Sequence, residues 1–140
     1  MTSSNFAAAN KALVSKVMDA VFVRRDSSIV EQHFDKGYIQ HNPKIPNGRD
    51  AIPALISQLP AGFRYEPGMI VAEGDLVMIH GRYTDWAPKP VVAVDIFRVV
   101  DGKLVEHWDV LQEEVPASST ASGNPMFSDR SAKRWVNKSV

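Results

Sequence analysis

The chain has 140 residues, 44% of them hydrophobic and 23% charged, which fits one globular domain of ordinary size with a real core. Sixteen Lys and Arg balance sixteen Asp and Glu, so nothing points to the basic stripe that a nucleic-acid binder uses to neutralise phosphates. No cysteine is present, which removes disulfides, thiolate metal sites and thiol nucleophiles, and Met1-Thr2-Ser3-Ser4-Asn5 lacks the basic n-region of a signal peptide, so a cytoplasmic protein with no membrane span is expected.

The first half reads as helix. From about Asn5 to Arg24, Phe6, Leu13, Val17 and Val21 recur at helical spacing, with Lys11, Ser15, Lys16 and Asp19 on the other side. A second helix is expected over 28–36. Ser28-x-x-Glu31 has the form of a capping box, Ile29, Val30 and Phe34 supply a buried side, and Gly37 is a terminator. A third is expected over 50–59, with Asp50 as N-cap, Pro53 in the first turn and Pro60 as the stop.

After Gly62 the period changes to two. Arg64–Ala72, Leu76–Asp85, Val91–Val100 and Lys103–Gln112 read as four strands. Their short connections imply an antiparallel meander, and Asp101-Gly102 is a strong hairpin signal. Three helices followed by such a sheet form an α+β plan, expected to fill residues 1–115. The helices are too few to cover a strongly curved sheet, so a cavity between the layers is expected, and ligands favour such places. Residues 116–140 form a tail that is loosely packed or docked, with Met126, Phe127 and Trp135 able to return to the body.

The stretch from Val94 to Val110 is the most informative. His107 and Asp109 share one face of their strand, and Asp95 and Phe97 share one face of theirs. A strict two-residue loop at Asp101-Gly102 pairs Asp95 with Trp108. A glycine-bulged loop pairs Asp95 with His107 and gathers Asp95, His107 and Asp109. The bulged form is favoured, because it places Val94, Ile96, Leu104, Val110 and Trp108 together on the other face. Carboxylates amid apolar strands either find donors or shift their proton affinity, and a carboxyl so shifted is a useful proton shuttle.

Further candidates lie in Tyr38-Ile39-Gln40-His41-Asn42-Pro43, where His41 is held at a helix-to-loop junction. His80 shares a strand face with Leu76, Met78 and Arg82, and pairing with the next strand would bring it near Asp95, where a carboxylate would orient the imidazole. A metal is not expected, since His107-x-Asp109 is the only tight ligand spacing. Neither a phosphate loop nor a nucleophile elbow is present.

The sequence resembles the SnoaL-like polyketide cyclase group of the nuclear transport factor 2-like superfamily, which also includes ketosteroid isomerase. The likeness rests on Tyr38 to Pro43, on Asn47-Gly48-Arg49-Asp50-Ala51-Ile52, and on Val94-Asp95-Ile96-Phe97-Arg98 through Gly102 to Asp109. It implies a cone-shaped α+β barrel, a homodimer, and acid–base chemistry without a cofactor, as in ring closure by intramolecular aldol condensation. By position Asp109 resembles the aspartate that takes an acidic C–H proton, while Asp95 and His41 match other polar pocket positions. The expectation is therefore a cyclase or isomerase acting on a small apolar carbonyl compound. Asp109 is its base, aided by Asp95, His41 and His80, and Tyr38, Asn42, Phe97 and His107 complete the substrate-binding set. A non-catalytic ligand-binding or dimerisation module of the same fold is the alternative, and a water-activating hydrolase is a weaker third.

Overall fold

A computed structural model of the chain describes residues 3–129, with side chains from Phe6 onward. The elements run α1 (Ser3–Phe22), α2 (Ile29–His33), β1 (Phe34–Gln40), α3 (Ala51–Gln58), β2 (Arg64–Glu73), β3 (Leu76–Thr84), β4 (Val91–Val100), β5 (Lys103–Glu113) and a 3-10 turn at Ala117–Ser119. One curved five-stranded sheet has the order β1-β5-β4-β3-β2. The α+β class holds, and the four strands after Gly62 fall within about a residue of their expected bounds.

The expected helix over 28–36 is corrected: it stops at His33, and Phe34–Gln40 form a strand that pairs parallel with β5. The sheet is therefore mixed rather than wholly antiparallel. Ile29, Val30, Phe34 and Tyr38 are all buried at spacings that fit a helix, which hides the strand from a reading of periodicity. Between Phe34↔Leu104 and Ile39↔Glu106 the register slips, so β1 lacks regular alternation as well. Gly37 does not end a helix but lies within this strand, its N–H donating to Asp35 Oδ2 at 2.7 Å. The expected caps are absent too. Ser28 turns its N–H and Oγ to Asp26 Oδ1 instead, and Asp50 makes no side-chain cap bond.

The buried side of α1, with Val14, Val17 and Val21, packs into the concave face of the sheet against Val77, Ile79, Phe97, Val99 and Leu104. Arg25 closes the C-terminal end of α3, donating to the carbonyls of Leu59 at 3.0 Å and Pro60 at 2.7 Å.

The β4–β5 hairpin decides which side chains enter the concavity. Its turn has Asp101 at φ 51° and Gly102 at φ 73°, the positive values that a two-residue turn requires. Val100 pairs with Lys103 and Val99 with Leu104, and then the register slips so that Arg98 meets Glu106. Val105 is thus a one-residue bulge in β5, inside the strand rather than in the turn. It reverses the facing of everything beyond it, so Leu104 and His107 both point inward and both are buried. Two expectations are corrected by this bulge. Asp95 lies opposite Asp109 rather than His107, and Leu104 belongs to the core rather than to the outer face.

Past β5 the described part of the tail folds back over the outer side of β2 and β3. Val115 N–H meets Met126 Sδ at 3.1 Å, and the Phe127 ring lies 5.7 Å from that of His80. Trp135 lies outside the described residues.

Candidate functional site

Strand alternation and the bulge bring Asp95, His107 and Asp109 to one buried corner of the concave face, their side chains only 6–7% exposed. Asp95 Oδ1 lies 2.8 Å from His107 Nε2, and Asp109 Oδ2 lies 3.9 Å from the same nitrogen. Tyr83 donates its hydroxyl to Asp95 Oδ2 at 2.6 Å, which satisfies the second carboxylate oxygen. Phe97, opposite His107 on β4, stands with its ring 4.7 Å from the imidazole.

The other wall comes from β1 and the loop after it. Gln40 Oε1 lies 2.6 Å from His107 Nδ1 and accepts the Asn42 main-chain N–H at 3.0 Å. Because that N–H can only donate, the atom it meets must be the amide oxygen, and His107 Nδ1 must then carry a proton. Gln40 Nε2 in turn donates to Tyr38 Oη at 3.3 Å. Asn42 Nδ2 donates to Asp109 Oδ2 at 2.6 Å, while Asn42 Oδ1 accepts the Lys44 N–H at 2.8 Å. Asp109 Oδ1 receives no hydrogen bond among the described residues.

These groups sit at one end of a narrow inner cavity of about 50 Å3, smaller than the range of about 300–1,000 Å3 common for small-molecule sites. Its remaining wall is apolar and aromatic, including Val21, Phe22, Ile52, Leu55, Trp86 and Leu111. A more polar outer chamber, lined by Lys44, Gln58, Asp85 and Glu113, shares Leu55, Trp86, Asp109 and Leu111 with it. Asp109 therefore stands where the apolar inner space meets the more polar outer chamber.

Burial is the main cause that raises the proton affinity of Asp109 above the ordinary carboxylate value. The Asn42 hydrogen bond and the charge of His107 oppose it, and nearby Asp95 adds to the rise. Burial, reinforced by Asp95, also pushes the Tyr38 and Tyr83 phenols above their ordinary range, so both remain neutral donors.

Of the residues picked from sequence, Asp95, Asp109, His107, Phe97, Tyr38 and Asn42 are brought together around this corner. His41 is not. Its ring stacks on Trp108 with centroids 4.9 Å apart and meets Glu106 Oε2 at 2.7 Å, on the outer face. Positions 38, 40 and 42 face inward, and the residue between the last two faces out. His80 is also corrected. It pairs with Val94 on the outer face, whereas its neighbour Ile79 is the residue opposite Asp95.

Gln40 and Tyr83 were missed. A reading of 34–40 as strand would have put Gln40 on the Tyr38 side, and alternation from Val77 and Ile79 leads directly to Tyr83. As for a metal, ligand atoms of Asp95, His107 and Asp109 lie within 4.8 Å of one another. An ion held by His107 Nε2 would have to displace the bond that this nitrogen makes to Asp95 Oδ1. No helix among the described residues is long and apolar enough to cross a membrane.

Comparison with known proteins agrees with this architecture. The SnoaL-like domain model matches residues 14–107, and the chain belongs to that family. Among solved structures, a Kribbella flavida protein assigned as a ketosteroid isomerase superposes with TM-score 0.67 at 16% identity, covering 94% of this chain and 93% of its own. A Bacillus cereus protein assigned as a polyketide cyclase gives TM-score 0.63 at 16% identity, covering 74% of each chain. An epoxide hydrolase from M. tuberculosis gives 0.59 at 18% identity, covering 76% of this chain and 84% of its own. At such identities the likeness establishes the fold. No curated protein matches significantly.

Proposed function

We propose that the chain is a cofactor-independent cyclase or isomerase that performs acid–base chemistry on a small, largely apolar carbonyl compound. The observation that carries this reading is Asp109. Its carboxyl lies at the rim of an apolar cavity with raised proton affinity, one oxygen held by Asn42 and the other uncommitted among the described residues. Such a group is a fitting base for a C–H already acidified by a flanking carbonyl. Asp109 Oδ1 takes that proton, and the C–H electron pair moves into the carbonyl to give an enolate. Tyr38, neutral and with its hydroxyl hydrogen uncommitted among the described residues, donates a hydrogen bond to the enolate oxygen. The enolate carbon then bonds to a second carbonyl of the substrate, leaving an alkoxide to be protonated, or, where a carbon–carbon double bond adjoins the enolate, the far carbon of the dienolate is the one to be protonated. In either case Asp109 returns its proton to the product.

The test is Asp109→Asn, which keeps the shape and removes the acceptor. Turnover of activated carbonyl compounds should fall by about a hundred- to ten-thousand-fold. Binding of the same compounds should stay within about tenfold, or about 1.4 kcal/mol. If the native chain binds such compounds and turns over none, the binding-module reading takes its place.

The chain is further proposed to act as a homodimer. Trp108, Ile96 and Val94 are partly buried on the outer face of the sheet, and Val110 beside them is 68% exposed. A contiguous apolar face of this kind favours a self-complementary contact. Light scattering at micromolar concentration should give twice the 15.5 kDa chain mass, and a value of one chain mass would contradict it.

A further inference from the structure

We propose that Gln40 is a positioning residue that fixes which nitrogen of His107 carries the proton, and so leaves Nε2 as the nitrogen that shares a proton with Asp95 beside Asp109. This rests on the acid–base reading above. The Gln40 amide cannot turn over without loss. Its oxygen accepts from the Asn42 main-chain N–H at 3.0 Å and its nitrogen donates to Tyr38 Oη at 3.3 Å. With the oxygen so held 2.6 Å from Nδ1, the neutral imidazole keeps its hydrogen on Nδ1 and its lone pair on Nε2. Nε2 is the nitrogen that faces Asp95 at 2.8 Å and Asp109 at 3.9 Å.

The 2.8 Å contact between Nε2 and Asp95 Oδ1 then takes one further proton, carried either by the ring as imidazolium or by the Asp95 carboxyl, and its passage between the two moves charge beside the corner that holds Asp109. The opposite tautomer would leave the lone pair on Nδ1, pointing at β1 and away from both carboxylates. The same amide oxygen anchors the main chain of Asn42, whose side chain holds Asp109 Oδ2 at 2.6 Å. One acceptor thus orders both arms of the site. Gln40 itself acts through His107 and Asn42.

The experiment is a nitrogen-15 correlation spectrum of the imidazole rings, with His107 assigned by its loss in His107→Asn. In the native chain Nδ1 should be protonated across neutral pH. Gln40→Leu, which keeps the bulk and removes the acceptor, should move the neutral ring toward the Nε2–H form, and Gln40→Glu should restore Nδ1–H. Turnover of a carbonyl compound, where measured, should fall at least about tenfold in Gln40→Leu with KM within about threefold, and recover in Gln40→Glu. A native ring protonated only on Nε2, or a Gln40→Leu spectrum identical to the native one, overturns the proposal. The native spectrum needs no variant to fold and no substrate. If the tautomer follows residue 40 while no chain turns over a carbonyl compound, Gln40's positioning of His107 stands and the catalytic reading is what fails.

Discussion

Asp95 and Asp109 face each other across β4 and β5, yet His107 treats them unequally, 2.8 Å from the first and 3.9 Å from the second. Asp95 is fully engaged by His107 and Tyr83, while Asp109 keeps one oxygen for the cavity. Two carboxylates in neighbouring positions thus have different surroundings, Asp95 closed in by His107 and Tyr83 and Asp109 lining the cavity.

The raised proton affinity of Asp109 has a signature in stability. The folded chain holds that proton more tightly than the unfolded chain does. The stabilisation this confers is complete below the unfolded carboxyl's titration range, near pH 3.9, and is lost as pH rises through the folded one. Asp109→Asn removes the dependence. Denaturant melts from about pH 3 to about pH 7 should show the variant gaining on the native chain as pH rises, and equal or more stable at neutrality. A neutral-pH loss above about 1 kcal/mol would instead mark Asp109 as a satisfied structural partner of Asn42.

Asn42→Ala should act in the opposite sense on the same group. The Asn42 hydrogen bond is the largest influence lowering the proton affinity of Asp109, so its removal should raise that affinity further. The acidic limb of the rate–pH profile should move to higher pH, with a stability cost of about 1–3 kcal/mol from the stranded partners. An acidic limb that stayed in place would separate Asp109 from that limb.

His41→Ala and His80→Ala should leave turnover within about threefold, because both rings lie on the outer face of the sheet and neither lines the cavity. Each retains the main-chain bonds that matter, including the His41 N–H to the His107 carbonyl at 2.9 Å. A hundredfold loss in His41→Ala would mean that its ring reaches the cavity after all.

Gly68 should report on the tail. A Cβ there would lie 2.8 Å from the His80 carbonyl, the Phe127 ring and the Ser128 carbonyl alike. Two of these three atoms belong to the returning tail, so Gly68→Ala should cost about 1–3 kcal/mol by overpacking and should hasten proteolytic cleavage between residues 116 and 129. Unchanged melting and cleavage would show that the tail does not press on β2.

Much of this was legible in the sequence where one period dominates. The four strands after Gly62 alternate well enough to be found, although β2 and β5 each carry an irregularity, and Asp95, Phe97, His107 and Asp109 could be placed on a shared face from alternation plus one bulge. What was hidden lies where two periods fit the same residues. Phe34 and Tyr38, four apart, satisfy a helix as well as an irregular strand, and that ambiguity exchanged Gln40 for His41. The bulge at Val105 carries no sequence mark, since the glycine that suggested a bulge is spent on the turn. Asn42 marks the segment but not the 2.6 Å contact, which depends on β1 lying parallel to β5 across 67 residues of chain.

The measurement that bears most directly on the central claim is hydrogen exchange at an acidic C–H. A small 2-alkylated β-keto ester, whose C–H stays un-ionised near neutrality, is incubated in heavy water with the native chain or with Asp109→Asn, and deuterium wash-in is followed by proton NMR. The account expects saturable wash-in by the native chain that rises with pH through the titration of Asp109, and a loss of about a hundred- to ten-thousand-fold in the variant. Equal wash-in by both chains, at a saturating rate above that of buffer, would show that some other group takes the proton and would contradict the assignment of Asp109 as the base.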